Sequence, residues 1–140
     1  MPDTKRIFRR ALCLTAACAW AVTATVARNY ELTSPDGRLH LAVSVGDTTT
    51  YSLLVAGQCV IKPSRISMRL ADGRILGDGV RVRKSLTEHR TETIPAPLYR
   101  QRTVHSEYNA LNLRMEGDYG LEFRAYDDGV AYRFYTDAIR

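Results

Sequence analysis

The residues that could do chemistry come first. Asp127 and Asp128 are adjacent carboxylates, and a glycosidase-type acid–base pair needs two carboxyls about 5–10 Å apart on one cleft. Neighbouring side chains diverge, however, and Asp before Gly129 is what a turn itself selects. The pair is therefore expected to be structural. Glu88, Glu92 and Glu107 fall in or near an irregular polar stretch, and nothing in their spacing singles them out. His40, His89 and His105 show no metal-ligand spacing, and no twelve-residue calcium loop is present. There is no G-x-S-x-G elbow, phosphate-binding glycine loop or dinucleotide fingerprint. Tyr99, Tyr108, Tyr119, Tyr126, Tyr132 and Tyr135 could stack on flat apolar ligand faces. At alternating strand positions, core and cross-strand packing is the expected role. No catalytic, cofactor-binding or metal-binding residue is assigned, and substrate-binding residues stay undefined.

The elements that would position such residues are all extended. The chain has 140 residues, 45% hydrophobic and 25% charged, which is the size and balance of one globular domain. The net charge of +5 is concentrated at the start, where Lys5, Arg6, Arg9 and Arg10 stand against Asp3. From Arg28 onward, sixteen basic and fourteen acidic residues are interspersed. No basic face clusters there, which argues against nucleic acid as a partner.

The positive Lys5–Arg10 segment precedes an apolar run from Ala11 to Val26 and small residues around Ala27. This is the layout of a secretory signal peptide. The expectation is a signal-peptide helix over residues 1–27, export to the periplasm or outer surface, and no stable membrane span after cleavage. Cys18 sits in a poor lipobox, because Leu14 comes one place too early. Cleavage would leave Cys59 as the one cysteine, expected to be a small buried thiol.

Period-two alternation runs through the remainder. Leu39, Leu41, Val43 and Val45 share one face, preceded by turn chemistry at Pro35-Asp36-Gly37. Strands are expected over Tyr51–Val55 and Cys59–Ile61, with Pro63 stopping the ladder. Further strands are expected around Ile66–Leu70 and Val80–Val82. Lys84–Ser106 is polar, carries Pro95 and Pro97, and is expected to be an extended excursion that includes an edge strand. Leu111–Met115, Tyr119–Ala125 and Val130–Phe134, joined by short Gly-containing turns, form an antiparallel meander. The fold class is all-β, an antiparallel sandwich over residues 28–140, with its last strand ending close to Arg140 and sheet edges left unpaired.

Residues 119–135, YGLEFRAYDDGVAYRFY, carry a specific signal. So, in order along the chain, do Ser34–Leu39, Pro97–Arg100 and Glu107–Leu111. Together they resemble the N-terminal β-sandwich domain of glycoside hydrolase family 97. The resemblance implies a partial super-sandwich that precedes a catalytic barrel, in a calcium-dependent enzyme acting on α-glucosides or α-galactosides. It also implies that the sandwich packs on the barrel and lends its rim a calcium-ligating glutamate, from a position downstream of this chain's last residues. Where the family has Y-N-E-L, this chain has Tyr108-Asn109-Ala110-Leu111 and lacks the carboxylate. No catalytic residue carries over, so the chain is expected to be inactive alone and to contain no cofactor. The rival reading is a stand-alone carbohydrate-binding sandwich using exposed tyrosines and the Lys84–Ser106 excursion.

Overall fold

The computed structural model describes residues 27–97 and 103–136. Ten strands, and no helix, lie among these residues. The leader expected over 1–27 lies outside them up to residue 26, as does Tyr99.

The first sheet has the order β1-β2-β3-β4, from β1 (Arg28–Thr33), β2 (Leu39–Val45), β3 (Thr49–Val55) and β4 (Gln58–Ile66). After a small hairpin of β5 (Met68–Arg69) and β6 (Ile75–Leu76) comes the second sheet. Its order is β10-β9-β8-β7, from β7 (Val82–Pro95), β8 (Thr103–Met115), β9 (Tyr119–Ala125) and β10 (Val130–Thr136). Neighbours in both sheets are antiparallel. The inner faces meet in one core, with Leu32, Leu41, Val43 and Leu53 from one sheet and Leu111, Leu113, Leu121 and Phe123 from the other. Alternation explains this placement, because each strand sends every second residue inward.

Four details differ from the expectations drawn from sequence. Pro63 does not end the ladder but sits inside β4, an edge strand. The register with β3 shifts between Tyr51 and Leu53, so Pro63 lies where the pairing is already broken. Cys59 is exposed rather than buried, because the end of this edge strand has no covering layer among the described residues. The expected strand around Ile66–Leu70 shrinks to the two residues of β5.

The fourth difference is the Lys84–Ser106 stretch, which is more regular than expected. It forms most of a long ribbon in which β7 and β8 pair from Lys84↔Arg114 to Pro95↔Thr103. β9 covers β8 only from Arg114 back to Asn109. Beyond that, the ribbon projects as two strands for about 17 Å, from the rise per residue. Its Thr103, His105 and Glu107 face solvent while Val104 and Ser106 are half-buried and Tyr108 is buried, and the mix of polar residues on both faces leaves no apolar period in its sequence.

Candidate functional site

Two turns that are far apart in the chain meet at one end of the sandwich. In the first, Gly37 takes φ of 76°, a conformation open to glycine, and its N–H donates to the Ser34 carbonyl at 3.0 Å. Ser34 is buried; its hydroxyl donates to Asp36 Oδ1 at 2.5 Å and accepts from the Leu39 N–H at 3.0 Å. The Asp36 carboxylate also accepts from the Arg38 backbone N–H at 3.0 Å and from Arg38 Nε at 2.6 Å. The hydroxyl of Ser34, the Arg38 backbone N–H and the Arg38 guanidinium hold Asp36 far below the usual carboxylate range. The second turn is Asp127-Asp128-Gly129, closed by the Tyr126 N–H donating to the Gly129 carbonyl at 2.8 Å. Asp127 Oδ1 accepts from the Asp36 backbone N–H at 2.9 Å, and its carbonyl accepts from Arg38 Nη2 at 3.3 Å. Asp127 thus clasps the turn between β9 and β10 to the turn between β1 and β2.

The outer face of the second sheet holds the densest charge. Glu122 on β9 is 5% exposed, between Arg124 on its own strand and Arg133 on β10. Arg124 Nε donates to Glu122 Oε1 at 2.9 Å, and Arg133 Nε donates to Oε2. Burial pushes the Glu122 carboxyl up, but the hydrogen bonds and charges of Arg124 and Arg133 outweigh it and hold it low. Arg124 also lies over the Tyr108 ring, 4.7 Å from its centre, and Tyr126 packs against the same ring at 5.0 Å. Tyr108 is fully buried and donates its hydroxyl to Glu92 at 2.6 Å. Gly120 on β9 permits the Tyr135 ring to lie flat on this face, since a Cβ would stand inside that ring. This layer is self-satisfied: each carboxylate in it already has a partner.

The structure places the other candidates apart. Glu88 pairs with Arg90, and Glu107 lies 3.4 Å from His89 Nε2 on the projecting ribbon. His89 Nδ1 meets Asn109 Oδ1 at 2.8 Å, and the Asn109 amide donates to the Thr33 carbonyl, tying the ribbon base to β1. His105 bonds Thr93 further out, and His40 sits by Thr33. No group of three or more His, Cys, Asp or Glu side chains close enough to hold a metal ion occurs among the described residues. Among the candidate tyrosines, Tyr108 and Tyr119 are buried, and Tyr119 accepts the Gly77 N–H at 3.1 Å. Tyr132, 48% exposed, packs on Tyr51 and Phe123 at the sandwich edge. Clefts of 180 Å³ beside Glu122 and 280 Å³ beside Tyr119 fall below the roughly 300 Å³ of a typical ligand pocket. Sequence reasoning missed the buried Glu122 pairing. Its available signal was a glutamate inside the meander with arginines two residues on and across the next strand.

The fold and these contacts define an antiparallel β-sandwich domain whose conspicuous polar groups serve its own architecture. The model of the family described as Glycosyl-hydrolase 97 N-terminal matches residues 32–139, and the chain belongs to this family. It is similar to a retaining alpha-galactosidase of Bacteroides thetaiotaomicron, 39% identical over 107 residues. That match covers 76% of this chain and 16% of the relative, so the chain spans about a sixth of that protein's length. In fold it is similar to a glycoside hydrolase family 97 enzyme from Pseudoalteromonas sp. strain K8, solved in complex with acarbose. There the TM-score is 0.64 at 19% identity, over 76% of this chain and 17% of that one. A beta-arabinopyranosidase gives a TM-score of 0.66 at 22% identity, over 75% of this chain and 18% of that one.

Proposed function

We propose that this chain serves as the N-terminal sandwich portion of an exported family 97 glycoside hydrolase, and that polypeptide beyond it cleaves the glycosidic bond. The observation that carries this reading is the family match over nearly all of the chain after residue 31, set against a share of about a sixth of a named alpha-galactosidase. The substrate class of the whole enzyme is α-galactosides or α-glucosides. Calcium is expected of the whole enzyme on the family resemblance alone. Secretion rests on the basic-then-apolar leader up to Ala27.

Hydrolysis requires two placed carboxyls on one cleft. Glu122 is committed to two arginines and Asp127 to the turn clasp, so neither is poised to serve in such a pair. The test is turnover of aryl α-galactosides and α-glucosides by the purified chain, with and without added calcium. The expected rate equals that of buffer. Turnover that scales with protein and persists through repeated purification overturns the reading.

A further inference from the structure

Strand pairing brings two histidines and a glutamate, remote in sequence, onto one face of the ribbon. The register sets His89 opposite Asn109, Thr91 opposite Glu107 and Thr93 opposite His105. Opposed residues share a face, as do residues two apart in one strand. His89, Glu107 and His105 therefore stand in a row on one side, all exposed. Glu88, Arg90 and Glu92 have the other parity, so the ribbon sends no arginine or lysine onto this side between Thr87 and Pro95. His89 is oriented from behind. The Asn109 amide donates to the Thr33 carbonyl at 2.7 Å, which turns Asn109 Oδ1 toward His89 Nδ1 at 2.8 Å. Nδ1 thus carries the hydrogen, and Nε2 of the neutral ring presents a bare lone pair. That lone pair faces Glu107 Oε1 at 3.4 Å. A charge-assisted hydrogen bond is shorter, about 2.7–2.9 Å. Two donors bound to one tetrahedral zinc at about 2.0–2.1 Å each stand about 3.4 Å apart. His105 meets Thr93 Oγ1 through Nδ1 at 3.1 Å, so Nε2 is the nitrogen not used in that bond.

We propose that His89 Nε2 and a Glu107 carboxylate oxygen, joined by His105 Nε2, bind one divalent transition cation of the zinc class. His89 and Glu107 are the preset pair. Three donors do not converge as the side chains stand. The third bond needs His105 to turn about its Cα–Cβ bond, which gives up only an exposed contact with Thr93. Two imidazoles and a carboxylate are a zinc-type donor set, with water in the remaining position. Calcium takes six to eight oxygen ligands, so it is not the ion for this row. Asn109 is the outer partner that fixes the tautomer and direction of His89. The ion would tie β7 to β8 beyond Asn109, where the pairing of β8 with β9 ends and the ribbon has no third strand. The proposal does not depend on the family reading, because it uses only the ribbon's register and side chains.

The experiment is calorimetric titration of zinc chloride into the full chain, free of any histidine tag. A background of Cys13→Ser, Cys18→Ser and Cys59→Ser removes competing thiols. The expected result is saturable binding of one ion per chain at neutral pH, with no comparable heat from calcium chloride. His89→Ala, Glu107→Gln and His105→Ala, each checked for a cooperative melt, should each weaken binding at least about tenfold, and His40→Ala should leave it unchanged. Nitrogen NMR of the imidazoles supplies a readout that needs no variant: zinc should shift Nε2 of His89 and of His105 while Nδ1 of His89 keeps its hydrogen. Absence of saturable binding overturns the proposal and leaves His89 and Glu107 as an ion pair. Binding that survives any of the three ribbon variants, or that His40→Ala weakens as much, also overturns it. None of these results bears on the glycosidase reading, whose own test is turnover.

Discussion

At the residue scale, two positions hold strain or loss that the fold does not need. Thr49 is fully buried at the start of β3, and its Oγ1 has no hydrogen-bond partner among the described residues. A buried polar atom left unpaired costs about 1–3 kcal/mol, while valine has nearly the same shape. Ala56 takes φ of 49° beside Gly57 at 80° in the two-residue turn between β3 and β4. That left-handed pair suits Asn-Gly, because the short polar side chain of Asn bonds locally, whereas alanine there costs about 1 kcal/mol. Urea unfolding of Thr49→Val and Ala56→Asn should therefore give midpoints above the parent's, by about 1 kcal/mol for the first and about 0.5 kcal/mol for the second. A lower midpoint for Thr49→Val would mean that its hydroxyl finds a partner in solution. Tyr119 is the converse case. Its hydroxyl satisfies the Gly77 N–H, so it is a core aromatic with a polar tip that has found its use.

At the element scale, the turn over Ser34–Arg38 decides how stability depends on acid. Asp36 titrates lower in the folded chain than in the unfolded one, where about 3.9 is expected. Its contribution is therefore fully present above that unfolded value and is lost as pH falls through the folded one. Glu122 has the same sign. Asp36→Asn should flatten the loss of stability between about pH 4 and pH 2, read from urea midpoints, while lowering the midpoint at neutral pH. An unchanged acid limb would show that Asp36 keeps its contacts when unfolded. This turn was legible as Pro35-Asp36-Gly37, and the meander as alternating Leu, Phe and Tyr between Gly-containing loops. Those signals are local, since each depends on residues within a few positions. The contact of Asp127 with Asp36 was not legible, because nothing in either turn names a partner 91 residues away. The ribbon was hidden for another reason. Alternation betrays a strand when apolar residues mark its covered face, and here the half-covered positions include Glu92 and Ser106, which are polar.

At the scale of the whole molecule, the sandwich and the ribbon are unequal in what holds them. The core side chains of β8, Leu111, Leu113 and Met115, all lie on the part of the strand at or near β9. Outward from Arg90↔Tyr108, the ribbon contributes only its own ladder and side-chain pairs such as Thr93 with His105. A two-stranded ribbon without a third neighbour is marginal in water. Its amides at Thr93, Ile94 and Thr103–His105 should exchange in minutes or less, while those of Leu111–Leu113 and Leu121–Phe123 exchange only through global opening. Trimming the ribbon sharpens the point. Thr93 and His105 already face each other, so joining them through Asn-Gly preserves the register and the Tyr108–Glu92 bond. The trimmed chain should melt within a few degrees of the parent. A large drop would mean that the arm folds back and covers core, as an integral part of the sandwich. An unchanged melt would show that the outermost pairs, Ile94↔Val104 and Pro95↔Thr103, about 7 Å of paired strand from the rise per residue, have no stabilising task in this domain.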